Sequence, residues 1–204
     1  MLEVTDGRGW VHRGQIDVCR RDQVVLTVQT SQYTEPQDVK LRLAVSLLKG
    51  KAMHFVVERL TEIGIGHITP VIFNRTDVQN FEDRKPQKWT RIAEQAIKIS
   101  DNPWLPKIDA PVQLSDLLDE VPGESIKLLF DLEGETEIKA MGNIDAPVLF
   151  VVGPPGGITD SERELLKSSG FRSIKMSQWT FRSETAALFS AVWLKMSMSD
   201  EGQS

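Results

Sequence analysis

Between residues 41 and 198 short apolar runs alternate with segments of helical period, and that alternation leaves the chain few folds to choose from. Strands are expected at 41–48, 67–73, 126–131, 147–152 and 171–176, and helices at 52–63, 85–99, 114–118, 160–168 and 183–198. In the first of these helices Phe55, Val56, Leu60 and Ile63 are read as one apolar side. Strands that return through helices need crossover connections, which lay the strands parallel and cover the sheet with helices. The expectation is an α/β domain with a mainly parallel sheet. Ligands of such sheets gather at the carboxyl ends of the strands, where loops and helix N-termini present backbone N–H groups.

Ahead of this domain, residues 1–4, 10–19 and 24–29 read as short strands parted by Asp6-Gly7-Arg8-Gly9 and Arg20-Arg21-Asp22. Three short strands bury little by themselves, so this β module either leans on the rest of the chain or is part of a larger barrel. The division expected is a β module over residues 1–32, a polar linker with Pro36 over 33–39, the α/β domain over 40–198 and a polar tail over 199–204. No internal repeat is visible.

The single cysteine, Cys19, excludes an intrachain disulfide or a thiolate metal cluster and fits a reducing cytoplasm. The first residues lack a basic stretch followed by an apolar run, and no window approaches the ~18 apolar residues of a membrane span. A soluble cytoplasmic protein is expected. Net charge is −5, yet residues 40–107 carry twelve basic and seven acidic side chains, while 109–145 carry two basic and ten acidic. The middle of the chain can therefore face a polyanion, or both regions are simply solvated surfaces.

Two segments carry chemistry. The apolar run 147–152 empties into Gly153-Pro154-Pro155-Gly156-Gly157, a loop whose glycines admit a close ligand and whose prolines stiffen it. Thr159 and Glu162 form a capping-box pattern for the helix behind it. No Gly-Lys-Ser/Thr follows and no G-x-G-x-x-G follows a strand, which disfavours nucleoside triphosphates and NAD. Downstream, Phe181-Arg182-Ser183-Glu184-Thr185 opens the last helix, where Ser183 is read either as a cap, with Glu184 complementing the helix dipole, or as part of a ligand loop.

These two segments, GPPGGITDSERELLKSSGF and KMSQWTFRSETAALFSAVWLKM, resemble the C-terminal signature of the RsmE-type 16S rRNA (uridine N3) methyltransferases of the SPOUT class, roughly G-P-E-G-G and L-G-x-R-x-L-R-x-E-T-A. Lys49-Gly50-Lys51-Ala52-Met53 and the run from Glu58 to Pro70 are similar to the family's K-G-x-x-M and K-x-T-E-L-G-V-x-x-I-x-P. The resemblance implies an α/β SPOUT-type parallel sheet with a C-terminal trefoil knot, preceded by a partial PUA-like β-barrel that binds RNA and whose first strands are missing. It implies a homodimer, a 16S rRNA or small-subunit partner, no membrane, and S-adenosylmethionine held by the knot loops at Phe130, Gly153, Pro154, Gly156, Gly157, Met176, Ser177, Phe181 and Thr185.

Arg182 and Glu184 are the expected catalytic pair: Arg182 to hydrogen-bond a uracil carbonyl or phosphate, Glu184 to orient it or act as base. Arg59, Arg75 and Arg91, together with Arg84, Lys85 and Lys88, are candidate RNA contacts. Trp104 and Trp179 are candidates to stack on a base, whereas Trp89 and Trp193 fall on helical patterns and should pack. His12, His54 and His67 lack metal-ligand spacing. The chain departs from the family pattern at Pro155, at Met176-Ser177-Gln178-Trp179, and at residues 98–106, which stand where the family has E-Q-x-G-R-x-x-x-P. Those departures keep two alternatives open: a noncatalytic RNA-binding or ribosome-assembly protein that retains the knotted fold, and a knotted methyltransferase for another RNA base.

Overall fold

The computed structural model of the chain describes residues 1–36, 41–78, 85–120, 125–138, 144 and 146–198; the end of the expected linker, Arg84 and the tail after residue 198 lie outside the described residues. Strands β1 (Leu2–Thr5), β2 (Trp10–Cys19) and β3 (Val24–Tyr33) form an antiparallel sheet in that order. β3 runs four residues beyond the expected end because Ser31, Gln32 and Tyr33 stay paired with His12, Val11 and Trp10. The Trp10 and Tyr33 rings, 5.2 Å apart, supply a cross-strand aromatic contact that polarity counts do not register.

The α/β domain contains β4 (Leu41–Ser46), α1 (Lys51–Ile63), β5 (His67–Ile72), α2 (Lys85–Ser100), β6 (Lys107–Ile108), β7 (Val112–Gln113), α3 (Leu114–Asp119), β8 (Ile126–Phe130), β9 (Thr136–Glu137), β10 (Val148–Val152), α4 (Asp160–Ser168), β11 (Arg172–Lys175) and α5 (Ser183–Ser197). Its strands lie in the order β6-β5-β4-β10-β8-β11-β9, with β7 also on β5, and every pairing is parallel. All five residues of β10 are buried, as expected of a central strand covered on both faces. β6, β7 and β9 are two-residue strands, too short to show any period in sequence.

Alternation along the central strands divides the core. Leu43, Val45, Phe150 and Val152 pack with Val56 and Leu60 of α1 and with Ala187 and Leu194 of α5. Ala44, Leu149 and Val151 pack on the opposite face with Leu117 of α3 and Leu166 of α4. The inward side of α1 is Met53, Val56, Val57 and Leu60, at spacings of three, four and seven. Phe55, expected on that side, is 43% exposed and lies beneath the Arg59 guanidinium at 5.7 Å. Trp89 is buried as expected.

The β module docks on the segment after α2. The Gly9 amide donates to Pro103 O at 3.0 Å, the Leu105 amide to Gly7 O at 2.9 Å, and the Trp104 indole N–H to Thr34 O at 3.0 Å. Trp104 therefore works as a strut against Tyr33 rather than as the free stacking surface expected of it. Asp101 adopts φ 53°, a left-handed conformation, at the place of the glycine in the family's E-Q-x-G-R pattern.

At the amino ends of β4 and β5, Asp109 accepts hydrogen bonds from Thr69 Oγ1 at 2.7 Å, lies 2.6 Å from His67 Nε2 and pairs with Lys107 Nζ at 3.0 Å. Burial opposes ionisation of Asp109, but the hydrogen bonds from His67, Thr69 and Lys107 outweigh it and hold the carboxyl well below the usual carboxylate range. A depressed folded pKa contributes stability that is complete above the unfolded value and shrinks as pH falls through it. The stability difference between wild type and Asp109→Asn should therefore be greatest at neutral pH. Below about pH 4 it should shrink by about 1.4 kcal/mol per pH unit, measured by urea unfolding between pH 7 and 3.

Candidate cofactor and RNA site

A cleft of about 360 Å³ opens at the carboxyl ends of β8, β10 and β11, walled by the three loops that follow those strands. Its lining includes Phe130, Val152, Met176, Phe181 and Ala186 as apolar surface. A larger hollow of about 530 Å³ lies where the β module meets the α/β domain, lined among others by Glu62, Trp104, Lys107 and Lys195, and it contains none of the residues expected to hold the cofactor.

The wall after β10 is a tight turn in which the Gly157 amide donates to Pro154 O at 2.9 Å. Behind it α4 begins with the expected capping box: Thr159 Oγ1 accepts from the Glu162 amide, and the Glu162 carboxylate accepts from the Thr159 amide at 2.8 Å. Glu162, only 6% exposed, uses its other oxygen to accept from the Asn74 amide at 2.7 Å, which ties the turn after β5 to the same loop. One residue on, Arg75 Nη1 donates to Gly156 O at 3.0 Å and lines the cleft.

Ser183 decides between its two readings. Arg182, without a side-chain capping bond, occupies the N-cap of α5, while the Ser183 hydroxyl, 4% exposed, donates to Gly153 O at 2.8 Å. The two motif loops, thirty residues apart in sequence, are thus bonded to each other across the cleft floor.

Of the expected cofactor residues, Phe130, Gly153, Pro154, Gly156, Gly157, Met176, Ser177 and Phe181 line the cleft. Thr185 does not, because the helical turn carries it to an exposed face of α5. Arg182 is exposed at the start of α5 and Glu184 is half-buried in its first turn; neither lines the cleft. Arg75, a candidate RNA contact, is exposed and lines the cleft. Arg59 lies on α1, bonded to Glu62 at 2.6 Å, and Arg91 is exposed on α2; neither lines the cleft. Trp179, 71% exposed, stands on the cleft wall, and Trp193 packs edge-on against Phe130 at 6.0 Å.

Asp131, Glu133 and Arg163 also line the cleft and were not expected there. Arg163 Nε lies 2.7 Å from Asp131, with Asp160 at 2.8 Å and Glu133 at 3.3 Å. The hydrogen bond to Asp131 outweighs the cost of burial and holds the guanidinium still more firmly charged. The only sequence signal for this pair is an acid at the end of a strand and an arginine in the first turns of a helix, 32 residues apart, a pattern too common to single out. Among the described residues no group of three or more His, Cys, Asp or Glu side chains could hold a metal ion.

An RNA methyltransferase domain profile matches residues 35–195. The ribosomal RNA small subunit methyltransferase E of Aquifex aeolicus is 32% identical over 197 residues, which cover 92% of this chain and 84% of that protein. The chain belongs to the ribosomal RNA small subunit methyltransferase E family. This family member is also 30% identical to the Mesomycoplasma hyopneumoniae protein of the same name over 164 residues, 76% of this chain and 68% of that protein. In fold it matches a Neisseria gonorrhoeae ribosomal RNA small subunit methyltransferase E solved with S-adenosyl methionine, with a TM-score of 0.89 and 23% identity over 98% of this chain and 84% of that one. The α/β architecture with a mostly parallel sheet is shared.

Proposed function

We propose that this methyltransferase transfers the methyl group of S-adenosylmethionine to N3 of a uridine in 16S rRNA, on the small ribosomal subunit or its RNA. The observation that carries the reading is the Ser183–Gly153 hydrogen bond, which brings both family motifs to one cleft of a size suited to a small cofactor. The residues fit the cofactor chemically. Phe130, Val152, Met176 and Ala186 offer an apolar seat that would suit a purine, the glycine loop lets a ligand approach the backbone, and Asp131 and Glu133 supply carboxylates that would suit a cationic ligand. Bound there, the cofactor supplies an activated methyl group. The protein holds Phe130 and the Gly153 loop as the seat, while Arg182, at the N-cap of α5, is assigned to the RNA and Glu184, in the first turn, to orienting it.

The rest of the reading follows the same site. We infer a deep trefoil knot, supported by the placement of β9 outside β11 and by the Ile144 amide donating to Ser197 O at 2.8 Å at the end of α5. Residues 1–32 are read as a PUA-like RNA module, 33–39 as a linker and 40–198 as the SPOUT domain. Homodimerisation is supported by Phe189, Val192 and Met196, an exposed apolar stripe on α5 that adjoins the cleft through the Phe181–Phe189 ring contact at 5.7 Å. No helix among the described residues is long and apolar enough to cross a membrane, and a cytoplasmic location suits a ribosomal RNA substrate.

Calorimetric titration with S-adenosylmethionine should show binding, and mass spectrometry of rRNA nucleosides should show 3-methyluridine only where the protein is present. Binding without any methylated product would favour a noncatalytic RNA-binding role. Methylation of another base would reassign the substrate.

A further inference from the structure

Three arginines stand at or beside the cleft, and their surroundings differ. Arg163 is surrounded by Asp131, Asp160 and Glu133, so its charge is largely spent. Arg182 is exposed and outside the lining. Arg75 lines the cleft, forms no ion pair among the described residues, and bonds a neutral acceptor, Gly156 O, through one nitrogen. A guanidinium has five N–H donors in a planar fork, so most of those of Arg75 remain for a ligand at the cleft mouth.

The turn that carries Arg75 is fixed at both ends. The Phe73 amide donates to Thr76 Oγ1 at 2.8 Å, and that hydroxyl is 3.2 Å from the buried Ser46 Oγ. The Asn74 amide donates to buried Glu162 at 2.7 Å. These links fix the backbone of the turn. The exposed Arg75 side chain lies along Gly156 and is tied to the glycine loop by its bond to Gly156 O, which aims the cation at the cleft mouth, where a preorganised donor stabilises developing charge.

Resting on the uridine N3 reading above, we propose that Arg75 is the catalytic cation that stabilises the deprotonated uracil as its N3 is methylated. In that step the N3–H proton passes to hydroxide or buffer base from the open mouth of the cleft. The N3 lone pair forms the new N–CH3 bond, the S–CH3 bond breaks, and its electron pair returns to sulfur. The negative charge that spreads over N3 and the two uracil carbonyl oxygens before transfer would otherwise be opposed by Asp131 and Glu133 in the same cleft.

The test is the pH profile of methyl transfer by the full-length protein at saturating S-adenosylmethionine and saturating 16S rRNA from cells lacking it. Arg75→Gln should lower kcat about 100-fold near neutral pH and move the rising limb of the profile about two pH units upward, the same factor expressed on the pH axis. Arg75→Lys, which keeps the charge and loses the fork, should fall between the two. Arg182→Gln should weaken RNA binding and leave the position of the profile in place. If Arg75→Gln raises KM for RNA while kcat and the profile stay put, Arg75 is only a phosphate contact and the proposal is overturned. A wild-type protein that makes no 3-methyluridine defeats the substrate reading instead, so the two failures are distinguishable.

Discussion

Gly134→Ala should lower stability by about 3 kcal/mol and the melting temperature by roughly 6–12 °C. The added Cβ would land on the carbonyl carbon of Ile174 and the amide nitrogen of Lys175, and would sit 2.9 Å from Ile174 O. All three are backbone atoms of β11, which is held on one side by β8 and on the other by β9, so no side chain can swing away. Relief requires moving a strand of the sheet or the chain after β8. Urea unfolding followed by circular dichroism reads the loss directly, and a midpoint equal to wild type would mean that the close approach of these two segments does not exist in solution. Because the 131–134 turn also walls the cleft, the surviving folded fraction should bind S-adenosylmethionine more weakly.

Phe150→Ala should cost about 4 kcal/mol, within the range for truncating a fully buried aromatic. Phe150 is at 0% exposure in the central strand β10 and meets Phe130 edge-on at 6.1 Å; Phe130 in turn meets Trp193 of α5 at 6.0 Å. These three rings form the layer behind the cleft, and Phe130 is the one that lines it. Phe150→Leu should restore most of the stability, to within about 1.5 kcal/mol of wild type. It should also show whether cofactor affinity depends on ring-to-ring support of Phe130 or only on filled volume. A titration in which the leucine variant binds as wild type does would assign Phe150 to stability alone.

Fold class was readable because burial on both faces of a parallel sheet writes itself into the chain as apolar runs. Leu41 to Ser46 and Val148 to Val152 are such runs, and helix period marks α1 between them and α4 after them. The two-residue strands β6, β7 and β9 carry no period, and they exist because neighbouring strands offer unpaired backbone groups. Phe55 shows the limit of residue type as a guide: its hydrophobicity points inward, but its angular position on α1 puts it under Arg59.

The turn after β10 was legible from glycine, proline and the Thr159–Glu162 box, all local signals acting within a few residues. By itself the sequence determined an α/β chain with two glycine- and serine-bearing segments at strand ends, in the order of one methyltransferase family. Only the tertiary structure decided that Ser183 bonds Gly153 instead of capping α5, that Asp131 consumes the charge of Arg163, and that Arg75 rather than Arg182 lines the cleft. The physical reason is sequence distance. A cap or a turn is fixed by residues three or four apart, whereas these contacts join positions 30, 32 and 81 residues apart, and their partners are chosen by sheet order and helix packing that no local pattern encodes.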